Sequence, residues 1–267
     1  MTDERTSPNA SPLKHVAARL RTAEVSAEPF PHDYLENVFP EEFYREMLRR
    51  LPGSAAYQNL FEATDYKLDN FRHRDQRDMR EGFAEPLPED VAEFWGRFNE
   101  WFLGPDMAKA VLASFTGPMG ARFGGEESWP AVSVEAQLIR HRAGYFLGPH
   151  SDLYTKLVVL LIYLAPDDAA SHLGTSLYRP KLPGFTCRDS KHHPFEEFVR
   201  VKTAPYRPNS LLAFFRSDVS FHGVEPLSER DVAAARGRDL IQYVLHDCAA
   251  REEQLRARSL AAQEVKA

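Results

Sequence analysis

Hydrophobic spacing changes along the chain, from a helical pattern in the first half to strand patterns in the second. From residue 131 onward, short apolar segments are separated by Pro, Gly, Asn and Asp. The segments are AVSVEAQLIRHR, which alternates, KLVVLLIYLA, which is continuously apolar, and then SLY, FVRV, SLLAFF and LIQYVL. Alternation is typical of a half-buried strand, and a short continuous apolar run of a strand buried on both faces. Several short strands at this spacing predict a jelly roll or barrel.

Before residue 131, apolar positions recur at helical spacing after recognisable helix starts. We expect helices after Ser11, Pro40 and Pro88, and another that begins at Pro105. The helix after Pro88 carries an aromatic stripe, which we interpret as core packing. Residues 54–86 are charged and aromatic without a clear period, which predicts mostly irregular structure.

The pattern predicts one domain over residues 1–267, mainly β with flanking helices (α+β), in which the N-terminal helices buttress the sheet. Its expected parts are an N-terminal extension with a helix (1–30), helical support (31–130), a β core (131–247) and a C-terminal helix (248–267). All-β domains of this size are often single units.

Composition narrows the functional classes. The net charge of −6 argues against nonspecific binding to nucleic acid, which needs a basic face. Cys187 and Cys248 fit neither a zinc motif nor a disulfide scaffold, which favours a reduced compartment. The N-terminus has no apolar signal region, and the longest apolar run is about half of what a membrane helix needs. We therefore expect a cytoplasmic protein that binds neither nucleic acid nor membrane, and we leave a homodimer open.

Candidate metal chemistry lies in the segment GPHSDLYTKLVVLLIYL, where His150 and Asp152 lead into an apolar run. On a strand, residues two apart project from the same face, so this imidazole and carboxylate can close on one ion. His222, on a distant strand, would complete a set of two histidines and one carboxylate. Such a set suits ferrous iron with open coordination positions.

A His-x-Asp pair alone proves little, since His73 and Asp75 form a second one inside NFRHRDQRDMR. That stretch has no apolar alternation, so we expect a solvated loop or helix edge without metal. His192 and His193, near Cys187, match no regular ligand spacing, and we expect a surface loop there.

From about Ala131 to His246, the chain resembles the iron(II)- and 2-oxoglutarate-dependent dioxygenase superfamily, in particular its prolyl-hydroxylase-like bacterial branch. The resemblance implies a double-stranded β-helix, which is a distorted jelly roll. The residues that carry it are Gly144, His150-x-Asp152, His222-Gly-Val-x-Pro226 and Arg238.

By this resemblance, His150, Asp152 and His222 would be the catalytic iron ligands, and Arg238 would hold the remote carboxylate of 2-oxoglutarate. A guanidinium fork matches a carboxylate bidentately. Arg236 is the alternative, although Arg238 directly adjoins the apolar LIQYVL. His141 occupies a position where related enzymes often have a tyrosine that contacts the cosubstrate, and a structural histidine is equally compatible.

Three further residues are candidates for substrate contact: Gln137, on the same strand face as His141, together with Tyr154 and Thr175. The resemblance implies Fe(II), 2-oxoglutarate, molecular oxygen and a small-molecule substrate that is hydroxylated, with release of succinate and carbon dioxide. Asp152 favours hydroxylation, because halogenating relatives replace this carboxylate with a small residue. The alternatives are the same chemistry on a protein side chain and a non-catalytic jelly-roll binding module; a zinc or manganese cupin would commonly use more histidines.

Overall fold

Two antiparallel sheets, flanked by helices, form the protein. The computed structural model describes residues 11–64, 67–80, 82–83, 85–235 and 237–264. The helices in these ranges are α1 (Pro12–Arg21), α2 (Glu41–Arg49), α3 (Leu60–Ala63), α4 (Glu89–Phe102), α5 (Pro105–Ser114), α6 (Thr116–Phe123), α7 (Glu229–Ala235) and α8 (Cys248–Glu264). The strands are β1 (His32–Glu36), β2 (Gln58–Asn59), β3 (Arg74–Asp78), β4 (Val132–His141), β5 (Leu147–His150), β6 (Lys156–Tyr163), β7 (Thr175–Pro180), β8 (Phe198–Ala204), β9 (Ser210–Phe215), β10 (His222–Val224) and β11 (Arg238–Asp247).

The strand order is that of a jelly roll. The larger sheet runs β1-β9-β6-β11-β4-β3-β2, and the smaller sheet runs β5-β10-β7-β8. From β4 to β11 the chain passes back and forth between the two sheets, which is the course of a double-stranded β-helix. The prediction of a mainly β jelly roll with flanking helices is confirmed.

Both faces of the larger sheet are buried. One face packs against the helices and the other against the smaller sheet, so alternate residues of β6 enter different cores. Val158, Leu160 and Ile162 face the helices, whereas Val159, Leu161 and Tyr163 face the smaller sheet. This three-layer arrangement explains why β6 is continuously apolar, as expected for a strand that is buried on both faces.

The aromatic stripe of α4 supports the larger sheet from outside. The Phe98 and Phe102 rings lie 4.5 Å apart between centroids, and the Phe102 ring meets Tyr243 of β11 edge-on at 5.0 Å. Phe102 is fully buried. These contacts tie the helical layer to the strand that carries Arg238.

Residues 31–130 do more than supply helical support, because they also contribute β1, β2 and β3 to the larger sheet. The pattern of 54–86 predicts mostly irregular structure, yet β3 pairs with β4 along its whole length. Its sequence, RDQRD, contains no apolar residue, and so periodicity gives no sign of a strand. The pattern also gave no indication of α6 or α7.

No helix among the described residues combines the length and the apolar character needed to cross a membrane.

Replacing Phe102 with Ala should lower the free energy of unfolding by about 3–5 kcal/mol, because the change leaves a cavity between α4 and β11. Denaturant titration followed by tryptophan fluorescence measures the loss. The matched control is Phe146→Ala, at a ring that is 41% exposed, which should cost about 0.5 kcal/mol or less. Equal losses in the two variants would contradict the packing described for α4.

Candidate metal centre

Strand pairing in the smaller sheet brings two distant histidines together. In the β5–β10 ladder, His150 lies directly opposite His222, and their ring centroids are 4.4 Å apart. Both side chains are buried. Gly223 permits the close approach of the two strands, since a Cβ there would collide with the carbonyl oxygen of Leu147.

Asp152 joins the histidines from a loop. Strand β5 ends at His150, so strand alternation is not what aligns the His-x-Asp pair. Instead, the backbone carbonyl of Asp152 accepts a hydrogen bond of 2.8 Å from Nε of Arg216, which fixes the loop. The carboxylate then lies with Oδ1 4.0 Å from Nε2 of His150 and Oδ2 3.7 Å from Nε2 of His222.

Backbone carbonyls set the tautomers of both histidines. Nδ1 of His150 lies 3.1 Å from the Gly148 carbonyl oxygen, and Nδ1 of His222 lies 3.0 Å from that of Ser220. Because a carbonyl only accepts, each Nδ1 carries the proton and each Nε2 presents its lone pair to the cluster. Burial lowers the pKa of both imidazoles, which favours the neutral form that binds metal.

The two oxygens of the buried Asp152 carboxylate have different surroundings. Oδ1 accepts a hydrogen bond of 2.7 Å from Nζ of Lys156, whereas Oδ2 has no hydrogen-bond partner among the described residues. Burial alone would raise the pKa of Asp152, but the charge of Lys156 holds it below its usual value. The ionised, unpartnered oxygen faces an imidazole nitrogen, so a cation would satisfy it.

The three side chains form the one group of metal-ligand type found within the described ranges, with ligand atoms within 4.8 Å of one another. Two neutral imidazoles and one carboxylate are the donor set of non-haem Fe(II) sites with open positions. The residues present therefore fit Fe(II).

A buried guanidinium lies on the neighbouring sheet. Arg238 is 1% exposed, and it begins β11. Its Nε donates to the Leu173 carbonyl at 2.6 Å, Nη1 donates to Nδ1 of His141 at 2.7 Å, and Nη2 donates to Oγ1 of Thr175 at 3.1 Å. Thr175 thus faces inward, as predicted, where it contacts the guanidinium; its contact with substrate stays a prediction.

All three recorded hydrogen-bond partners of the Arg238 guanidinium are neutral, and no carboxylate of the described residues lies within ion-pair distance of it. The next residue, Asp239, points to the opposite face and pairs with Arg140 at 2.8 Å. A buried charge without a counterion costs several kcal/mol in order of magnitude. The guanidinium of Arg238 is therefore suited to binding an anion.

His141 presents an unused donor beside this guanidinium. Because Arg238 donates to its Nδ1, the proton lies on Nε2, which is buried and has no partner in the described part of the chain. Burial, followed by the charge of Arg238, holds the pKa of His141 well below its ordinary value, so the ring is neutral. The ring stacks on Tyr145 at 3.7 Å between centroids.

The remaining candidates have different surroundings. Gln137 lies on β4 and accepts a hydrogen bond of 3.3 Å from Arg74. The guanidinium of Arg188 lies 4.8 Å from the centroid of the Tyr154 ring, and Arg188 is not one of the three metal-ligand candidates. The roles of Gln137 and Tyr154 stay predictions, and the alternative anchor Arg236 lies outside the described residues.

Sequence patterns missed one neighbour of the site. The ring of His192, expected in a surface loop, is half-buried and lies 4.9 Å from that of His150. The backbone N–H of His193 donates to the Pro149 carbonyl at 2.9 Å, which pins this loop to β5. No spacing rule could have indicated the contact. Asp75 of the second His-x-Asp pair forms an ion pair with Arg142 at 3.1 Å, and the expectation that this pair holds no metal stays a prediction.

No protein-family model and no curated protein matches the chain. A prolyl-4-hydroxylase structure from Pseudomonas putida is 16% identical, covering 88% of this chain and 99% of that one at a TM-score of 0.45. The non-heme alpha-ketoglutarate-dependent epimerase SnoN from nogalamycin biosynthesis is 13% identical, covering 88% and 82% at a TM-score of 0.46. An oxidoreductase of the 2OG-Fe(II) oxygenase family from Burkholderia pseudomallei is 14% identical, covering 90% and 92% at a TM-score of 0.42.

Replacing His150 or Asp152 with Ala should weaken Co²⁺ binding by more than about a hundredfold, because each change removes a ligand rather than a residue that merely orients one. Titration with Co²⁺, followed by its visible absorption, measures the affinity. His73→Ala and Asp75→Ala are the matched controls, and both should bind Co²⁺ within about twofold of the wild type. Loss of binding in the controls, with retention in the ligand variants, would refute the assignment.

Proposed function

We propose that the protein is an iron(II)- and 2-oxoglutarate-dependent oxygenase that hydroxylates an unactivated carbon of a small molecule, either an amino acid or a secondary-metabolite intermediate. Succinate and carbon dioxide would be released. The single observation that supports this best is that the described residues contain, inside one jelly roll, both a buried His-Asp-His cluster and a buried guanidinium without an acidic partner.

The iron would be held by Nε2 of His150, Nε2 of His222 and the carboxylate of Asp152. When bound, ferrous iron supplies the activation of oxygen, which is coupled to decarboxylation of 2-oxoglutarate. Lys156 keeps the carboxylate ionised and occupies its Oδ1, which leaves Oδ2 available as a single metal ligand. The carbonyls of Gly148 and Ser220 keep both Nε2 atoms unprotonated and correctly oriented.

Arg238 would bind the remote carboxylate of 2-oxoglutarate. A guanidinium has five N–H groups, and the contacts with Leu173, His141 and Thr175 use three of them. One N–H remains on each of Nη1 and Nη2. A carboxylate can accept both of these hydrogen bonds, one with each oxygen. The Nε2–H of His141 offers a further donor beside the same position.

The surroundings strengthen this recognition. Arg238 lies between the sheets, where water is excluded and charge–charge attraction is stronger than in bulk solvent. The incoming carboxylate would replace the missing counterion, so the cost of burying the guanidinium is recovered when cosubstrate binds. Thr175 and Leu173 hold the guanidinium in place before binding, which lowers the entropic cost of recognition.

The wild-type protein, mixed anaerobically with ferrous iron and 2-oxoglutarate, should develop a visible charge-transfer band. In air it should form succinate slowly without a prime substrate. Arg238→Met should raise the dissociation constant for 2-oxoglutarate roughly a hundredfold, as expected for loss of hydrogen bonds to a charged group. Anaerobic titration at the band maximum measures the constant.

Arg97→Met is the matched control, since Arg97 pairs with Glu93 on the exposed surface of α4, and it should leave the constant unchanged. A wild-type protein that binds Co²⁺ but forms neither the band nor succinate would contradict the proposal and favour a jelly-roll binding module.

A further inference from the structure

Three side chains form a row across the larger sheet. Arg74 of β3 lies opposite His141 of β4, and His141 lies opposite Arg238 of β11. Directly opposite residues in antiparallel strands project from the same face, so all three belong to the face that meets the smaller sheet. Two strand spacings separate the two arginines, which is about 10 Å between their Cα atoms.

Arg74 is half-buried and poorly satisfied. Its one recorded side-chain hydrogen bond within the described residues runs from Nη2 to Oε1 of Gln137, and at 3.3 Å it is long. Its Nε is buried and has no hydrogen-bond partner there. An unpaired buried donor of a charged group costs roughly 1–3 kcal/mol or more.

Two arginines near Arg74 form ion pairs, whereas none is recorded for Arg74 within the described residues. Arg142 pairs with Asp75 at 3.1 Å, and the guanidinium of Arg80 forms an ion pair with Asp78. Arg74 has no carboxylate of the described residues within ion-pair distance, although its charge is close enough to His141 to disfavour protonation of that ring. Within the described residues, two guanidiniums without an acidic partner therefore flank one neutral histidine.

We propose that Arg74 binds a carboxylate of the prime substrate, which makes the substrate an anionic small molecule. Gln137 supports this site, because its Oε1 accepts from Arg74 while its amide N–H groups are left to donate to the same anion. The inference rests on the proposed function. In that function Arg238 binds the cosubstrate. Arg74, at the other end of the same row, is then left to bind a different anion.

The test uses protein loaded with Zn²⁺, which prevents turnover, and saturated with 2-oxoglutarate. Isothermal titration calorimetry compares two matched probe pairs: benzoate with benzamide, and phenylacetate with phenylacetamide. The wild type should bind each carboxylate at least about tenfold more tightly than its amide, as loss of one charge-assisted contact implies. Arg74→Met should abolish the preference, and Arg74→Lys should retain part of it, because lysine keeps the charge without the fork.

Arg97→Met should keep the full preference, and thermal melting of each variant should confirm an unchanged fold. Equal binding of carboxylate and amide by the wild type would overturn the inference, and so would a preference that persists in Arg74→Met. The inference would also be overturned if Arg74→Met weakened 2-oxoglutarate binding as strongly as Arg238→Met, because Arg74 would then bind the cosubstrate. If the wild type fails to bind 2-oxoglutarate but shows an Arg74-dependent preference, the proposed function fails and the anion site stands.

Discussion

The register between β5 and β10 is the constraint on which the site depends. It places His150 opposite His222, and the tautomer of each ring follows from a carbonyl two residues earlier on its own segment. A slip of one residue would turn one imidazole to the other face of the smaller sheet. The tight contact at Gly223 and the pairing of β10 with β7 on its other side hold this register. The jelly-roll course of the chain thus converts distant sequence positions into one cluster.

Charge in the interior is arranged in two complementary places. At the smaller sheet, the ionised Asp152 has an unpartnered oxygen that faces His222 and suits a cation. On the larger sheet, Arg238 and Arg74 lack acidic partners among the described residues and suit anions. Lys156 forms an ion pair with Asp152 through Oδ1 and leaves Oδ2 without a hydrogen-bond partner among the described residues. Each uncompensated group costs free energy in the absence of ligand, and binding recovers that cost.

Sequence patterns predicted the jelly roll and the three clustered side chains because strong local signals surround them. The buried strand after Asp152 and the apolar segment after Arg238 both show in periodicity. Arg74, which lies in one row with His141 and Arg238, was missed because the segment RDQRD carries no apolar residue. Its strand forms by pairing with β4, which is a tertiary contact. His192 was missed for a similar reason, since a loop pinned by one backbone hydrogen bond brings it to His150. Asp152 joins the cluster as expected, but for a different reason. The prediction relied on strand alternation, whereas a hydrogen bond from Arg216, outside the motif, fixes the loop that carries Asp152.

The most direct test is an anaerobic crystal structure of the protein with ferrous iron and 2-oxoglutarate, with diffraction data recorded at the iron absorption edge. We expect one anomalous peak bonded to Nε2 of His150, Oδ2 of Asp152 and Nε2 of His222, with a 2-oxoglutarate carboxylate paired to Arg238. An anomalous peak at another place, or a cosubstrate carboxylate bound away from Arg238, would contradict it.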